Sequence, residues 1–212
     1  MANFPQHLLN GHARFTARVF ASQRDRYTDL VENGQHPATM VIACVDSRVA
    51  PETVFDAAAG EIFVARNVAN IVPAHGTRGD HAAIWSAIEY AVEGLKVANL
   101  VVMGHSQCGG IHAALDDSAP LTATDYVGKW LGQVADLTAA VKTDATIAEA
   151  DRQCTLEHRS IARSLANLRA CPDIAAREAA GQLAVHGVWF DIKSGALKVW
   201  DEQAEAFVAP AD

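Results

Sequence analysis

Apolar positions change their period along the chain, and each change predicts an element. Leu8, Phe15 and Val19 recur at spacings of seven and four, which places them on one helical face. The segment from about Phe4 to Leu30 is therefore expected to be a helix, or a helix pair broken near Gly11. After Pro37 the pattern becomes short and continuous. TMVIAC, EIFVARNV and NLVVMGH are apolar runs bounded by turn-forming residues, which predicts strands buried on both faces. Between the second and third runs, Ile84, Ile88, Ala91 and Leu95 step at four, three and four. That spacing predicts a crossover helix capped by Asp80 and ending near Gly94. A glycine pair after His105 opens a further short helix. Helical patterns then cover about 126–141 and 146–170, the latter with Ile147, Cys154, Ile161, Leu165 and Leu168 on one face. GQLAVHGVWFDIKSGALKVWD reads as two β-rich runs joined at Lys193, Ser194 and Gly195, a hairpin.

Strand, helix and strand in alternation give an α/β fold: a mainly parallel sheet of four strands with an antiparallel C-terminal edge strand, flanked by helices. At 212 residues, half of them apolar, the chain can bury one substantial core and is short for two ordinary domains. A single domain over 1–212 is expected, with 1–32 as an N-terminal helical arm. The net charge of -8 and the absence of any Lys/Arg run argue against nucleic acid or an anionic membrane as partner. No apolar stretch approaches the roughly 18 residues of a membrane span, and the N-terminus lacks the apolar centre of a signal peptide. A transit peptide is disfavoured because the early His12, Arg14 and Arg18 are soon followed by Asp25, Asp29 and Glu32. The expected location is cytoplasmic.

The four cysteines, Cys44, Cys108, Cys154 and Cys171, lie far apart, so metal or catalytic thiols are expected before disulfides. ACVDSR sets Cys44, Asp46 and Arg48 within five positions at the end of the first apolar run, and His105 directly ends the third. In a parallel sheet both Cys44 and His105 emerge at carboxyl ends of strands, where ligand sites of open α/β sheets form. In HSQCGG a turn can aim Cys108 at the same point. Two thiolates and one imidazole suit zinc, and three protein ligands leave a fourth position for water or substrate. Asp46 could be a fourth ligand, but Arg48, if the loop stays extended, can hold it in a bidentate pair. A zinc-bound hydroxide beside such a carboxylate would attack an electrophilic carbon, which is hydration chemistry. Cys154 and Cys171 read as structural, as do His158 and His186.

ACVDSRVAPE together with GHSQCGG resembles the β-class carbonic anhydrases, whose pattern is CxDSR, about sixty residues, then HxxC. The similarity runs from about Leu8 to Trp200 and includes GEIFVARNVANIVP, AIEYAV and SLANL in order. It implies one zinc per chain on Cys44, His105 and Cys108, with Asp46 and Arg48 as the catalytic dyad. The implied enzyme is a lyase that reversibly hydrates CO2 to bicarbonate and a proton. The resemblance also implies a homodimer or a multiple of dimers, such as a tetramer, with the N-terminal arm embracing the neighbour. Within the family the chain is similar to the plant-type branch. Gln35 then falls where a glutamine reaches substrate across the dimer interface. Phe63, Val68 and Tyr90 match the apolar pocket wall, and Gly109 fits a small-residue requirement beside the metal. Val41 and Ala43 stand where the bicarbonate-regulated branch has tryptophan and glycine, although Arg66 matches an arginine of that branch. CS2 or COS hydrolysis at the same site, and a noncatalytic zinc or thiol sensor, are the competing functions.

Overall fold

A computed structural model describes residues 4–76, 81–116 and 118–210. Among them a six-stranded sheet runs in the order β2-β1-β3-β4-β5-β6. The four parallel strands are β1 (Thr39–Cys44), β2 (Ile62–Asn67), β3 (Asn99–His105) and β4 (Ala184–Phe190). β5 (Leu197–Asp201) returns from β4 antiparallel, through the turn expected at 193–195. A further antiparallel strand, β6 (Ala206–Val208), forms the edge that the sequence reading had given to β5.

Alternation of side chains across the pleat divides the core into two layers. Met40, Ile42, Leu100 and Val102 pack with Ile84 and Ile88 of α4 (Ala82–Glu89) and with Ile161, Leu165 and Leu168 of α8 (Arg152–Arg169). On the other face Val41, Ala43, Met103 and Val188 cluster with Ile111 of α5 (Gly109–Leu115), Leu131 of α6 (Tyr126–Leu131) and Val141 of α7 (Ala135–Thr143). The remaining helices are α1 (Gln6–Phe15), α2 (Arg24–Glu32), α3 (Pro51–Val54) and α9 (Pro172–Ala179).

The arm differs from expectation in where it breaks. α1 runs through Gly11, continues as a π-helical turn over Thr16–Phe20, and bends at Gln23, whose φ of -115° and ψ of 18° leave the helical region. Gly11 is tolerated because a single glycine costs a helix only about 1 kcal/mol. The expected cap Asp80 lies outside the described residues.

α8 sits close on the sheet because two strand positions lack side chains. A Cβ on Gly104 would stand 2.5 Å from Ile161 Cδ1, and one on Gly187 would stand 3.0 Å from Ile161 Cγ2. This approach carries the first turns of α8 down to the carboxyl ends of β1 and β3. Because Ile161 is fully buried it cannot swing aside, and Gly104→Ala is expected to destabilise the fold by about 1–3 kcal/mol. Adding Ile161→Val, which deletes the clashing methyl, should recover part of the loss. Urea unfolding of the two variants checks this, and an unchanged midpoint for Gly104→Ala would show the helix to be loosely seated.

Candidate metal centre

Cys44 is the last residue of β1 and His105 the last of β3, so neighbouring parallel strands release both side chains at the same edge. Cys108 follows after a tight turn in which Gln107 takes a left-handed φ of 56°, and it caps the start of α5. The three ligand atoms lie within 4.8 Å of one another, and all three residues are buried. The sulfurs of Cys44 and Cys108 are 3.8 Å apart. That is far beyond a disulfide bond of about 2.05 Å, and close to the separation of about 3.8 Å that tetrahedral coordination with metal–sulfur bonds of about 2.3 Å requires.

His105 shows which of its nitrogens faces the cluster. Nδ1 is 2.9 Å from the Ser106 carbonyl and donates to it, so Nε2 carries the lone pair. Nε2 is buried and has no hydrogen-bond partner among the described residues. An orphaned imidazole nitrogen beside two thiols fits a bound zinc, and the donor set is one that zinc prefers. Ser106 is itself fixed, because its hydroxyl donates to Asp191 Oδ1 at 2.8 Å and accepts the Ile192 N–H at 2.9 Å.

The charges of the cluster are coupled. Cys44 is pushed well below the ordinary thiol range, chiefly by the hydrogen bond it receives from Cys108; burial opposes this, while His105 and the N–H groups of Asp46 and Ala69 add to it. Cys108 is pushed up because it shares its proton with the Cys44 sulfur and is buried. Burial pulls His105 down, but the Cys44 thiolate and the Ser106 carbonyl carry it above its ordinary value. Two sulfurs sharing one proton are ready to release it to a cation.

Ala69 reaches Cys44 through a strained turn, since Ala69 and Asn70 have φ values of 63° and 47°. The strain persists because neighbours over-determine the turn. Asn67 brackets it by bonding both the N–H and the carbonyl of Ile71 at 2.9 Å, and Trp130 Nε1 donates to Val68 O at 2.8 Å.

Asp46 and Arg48 stand at the mouth of the cluster. Their loop does not stay extended. Val49 N–H returns to Asp46 O at 3.2 Å, and the Arg48 N–H bonds Asp46 Oδ1 at 3.0 Å. Within that turn Arg48 forks onto the carboxylate, with Nε to Oδ1 at 2.9 Å and a terminal nitrogen to Oδ2 at 2.7 Å. The same guanidinium donates to Gln107 O at 3.1 Å, joining the two ligand loops. Arg66, at the end of β2, donates to the carbonyls of Cys44 (2.8 Å) and Asp46 (2.7 Å).

The expected pocket residues divide. Val68 is at the cluster, next to Ala69 and against Gly110. Gly110 is the glycine without room, since a Cβ there would lie 2.8 Å from Val68 Cγ1, whereas Gly109 has open space around it. Phe63 and Tyr90 pair with each other, ring centroids 5.9 Å apart. Phe63 aligns with Met40, four residues before the Cys44–Asn67 pair, about 13 Å back along the strand. Gln35 is exposed ahead of β1, at the end of the strand opposite Cys44.

Three groups at the site escaped the sequence reading: Glu157, Gln153 and the Ser106–Asp191 pair. Glu157 had a signal. It falls between Cys154 and Ile161 on the apolar face of α8, and it is 3% exposed. Its oxygens accept the Cys108 N–H at 3.1 Å and Trp189 Nε1 at 3.0 Å. Burial pushes its carboxyl up, and these donors oppose the rise. Cys154 and Cys171 take no part; Cys154 lies 3.7 Å from His158 Nε2, away from the cluster, and Cys171 is in the core.

Comparison with known proteins decides what this arrangement belongs to. The carbonic anhydrase family profile matches residues 39–197. The chain is 31% identical over 199 residues to β carbonic anhydrase 3 of Arabidopsis thaliana, covering 92% of this chain and 76% of that protein. The chain belongs to the β-class carbonic anhydrase family. The solved structure of the β-carbonic anhydrase CcaA is similar with a TM-score of 0.88 and 32% identity, covering 97% of this chain and 98% of that one. A tetrameric β-carbonic anhydrase of Sordaria macrospora matches with a TM-score of 0.79 and 27% identity, over 96% of this chain and 98% of that one.

The Arg48 fork holds the Asp46 carboxyl well below the usual carboxylate range, with burial acting against it. A carboxyl lowered in the folded state stabilises the fold above its ordinary value of about 4, and that contribution fades as pH falls below it. NMR titration of Asp46 should therefore show no protonation down to pH about 3 in the wild type, and a midpoint near 4 in Arg48→Ala. A wild-type midpoint of about 4 would mean the fork does not persist in solution.

Proposed function

We propose that this carbonic anhydrase hydrates CO2 reversibly to bicarbonate and a proton at one zinc ion per chain, held by Cys44, His105 and Cys108. The carrying observation is the unpartnered, buried His105 Nε2 facing two sulfurs at tetrahedral spacing. When bound, zinc supplies the Lewis acidity that provides a hydroxide nucleophile near neutral pH. The chain's own residues orient the attack. Arg48 occupies Asp46 Oδ1 twice and Oδ2 once, so Asp46 stays ionised, is kept from the metal, and retains a lone pair on Oδ2. That oxygen would accept a hydrogen bond from the attacking hydroxide, without taking its proton, and so fix its direction toward the carbon of CO2. A thiol sensor would have no use for such a fork, which favours catalysis. Val41 and Ala43 support assignment to the plant-type branch.

A second subunit completes the pocket in this reading. α1 buries none of its residues within its own chain, and Phe4, Leu8, Leu9, Phe15 and Val19 remain exposed. An amphipathic helix without a core to cover is marginal in water, so the arm lies on a neighbouring protomer. Gln35, Phe63 and Tyr90, at the far end of the strands from this chain's cluster, then line the partner's site. The tetrameric relative supports a dimer or a dimer of dimers.

Stopped-flow CO2 hydration beside a metal assay tests the catalytic reading: about one zinc per chain, with Cys108→Ser losing both metal and rate. Retained turnover by metal-free Cys108→Ser would remove the assignment, and CS2 and COS assayed alongside identify the preferred substrate. Deleting residues 1–32 should convert the assembly to monomers by sedimentation and lower the hydration rate at least tenfold. An unchanged oligomer would show that the arm is not the embrace.

A further inference from the structure

α8 carries Gln153 and Glu157 one turn apart, and both reach the backbone of a single residue, Cys108. Glu157 Oε1 accepts the N–H of Cys108 at 3.1 Å, and Gln153 Nε2 donates to the carbonyl of Cys108 at 3.4 Å. Gln153 Nε2 also lies 3.2 Å from Glu157 Oε1, and the second Glu157 oxygen accepts Trp189 Nε1 at 3.0 Å. The side chains form one network that ends on the two polar atoms of a residue in the metal centre.

The network is dry. Glu157 is 3% exposed, and the space bounded by Gly104, His105, Glu157 and Ser160 is too narrow for a water molecule. Lost protein hydrogen bonds cannot be replaced by solvent there. The turn it holds also needs an external fastening, because Gln107 sits at a φ of 56° that a non-glycine residue adopts only under constraint. Arg48 holds Gln107 O from the mouth of the site, and α8 holds Cys108 from behind.

We propose that Gln153 and Glu157 are positioning residues: they grip the Cys108 backbone on both sides of its Cα, by the N–H and by the carbonyl, and so aim the Cys108 sulfur at the point where Cys44 and His105 converge. This rests on the metal site of the preceding section. A carboxylate is needed at 157 because all three donors it meets, the Cys108 and Trp189 N–H groups and Gln153 Nε2, require acceptors. An amide there would set its own NH2 against one of them.

The test is the rate at which zinc passes to a strong chelator, with the thermal midpoint of the metal-free proteins measured in parallel. Glu157→Gln should release zinc on the order of 10–100-fold faster than the wild type, and Gln153→Leu should show a smaller acceleration. Ser160→Ala, one turn away and outside the network, should release zinc at the wild-type rate. Combining Glu157→Gln with Trp189→Phe removes the competing donor, frees the amide oxygen for Cys108 and should restore slow release. Release from Glu157→Gln within about twofold of wild type, or a lowered metal-free midpoint with unchanged release, overturns the proposal. If Glu157→Gln does not fold, unchanged release from Gln153→Leu overturns it. A wild-type chain that takes up no zinc at all is a different result, which removes the metal reading and this inference together.

Discussion

The architecture of the site depends on holding two thiols and an imidazole within a few ångströms of each other in a dry interior. Such groups have no reason to cluster on their own. Uncompensated polar atoms in a core are unfavourable, and two buried thiolates repel. The sheet supplies the constraint. Parallel strands β1 and β3 end together, so their terminal side chains have no choice of neighbour. The backbone N–H groups of Asp46 and Ala69 and the proton from Cys108 then make a charged sulfur at Cys44 tolerable.

Around that core, every approach to the cluster is tied to another. Arg66 ties the end of β2 to the Cys44 loop, Arg48 ties that loop to Gln107, and Asp191 ties Ser106 to the β4–β5 turn. Left-handed backbone at Gln107 is sustained by the Arg48 tie, and at Ala69 and Asn70 by the bonds of Asn67 and Trp130. The arginine positions are worth more than their exposure suggests, because Arg66 joins the carbonyls of Cys44 and Asp46, and Arg48 joins the Asp46 carboxylate to the carbonyl of Gln107.

The parallel strands and the meeting of Cys44, His105 and Cys108 were legible in the sequence because their signals are local: short apolar runs, with Cys44 and His105 placed directly at their ends and Cys108 three residues on. The arm's bend was not, since Gln23 carries neither glycine nor proline, and the visible Gly11 pointed elsewhere. β6 was missed because AFV is too short to show alternation. The pairing of Asp46 with Arg48 was legible, but the turn that achieves it was not, because an Asx-type return depends on backbone geometry. Glu157 stood out only as a charge on the apolar face of α8, and its role shows once α8 docks through Gly104 and Gly187 and buries it; Gln153 is partly exposed and gave no signal.

The spread of the site along the chain has a consequence for biogenesis. Cys44 and Cys108 are 64 residues apart, and Cys108 is a further 49 from Glu157. No nascent fragment ending before α8 contains the full set of contacts, and parallel pairing across such separations is slow to form. An ion bound at this cluster would therefore be secured only after the tertiary structure is assembled, and metal content in a preparation would report on how many molecules have matured.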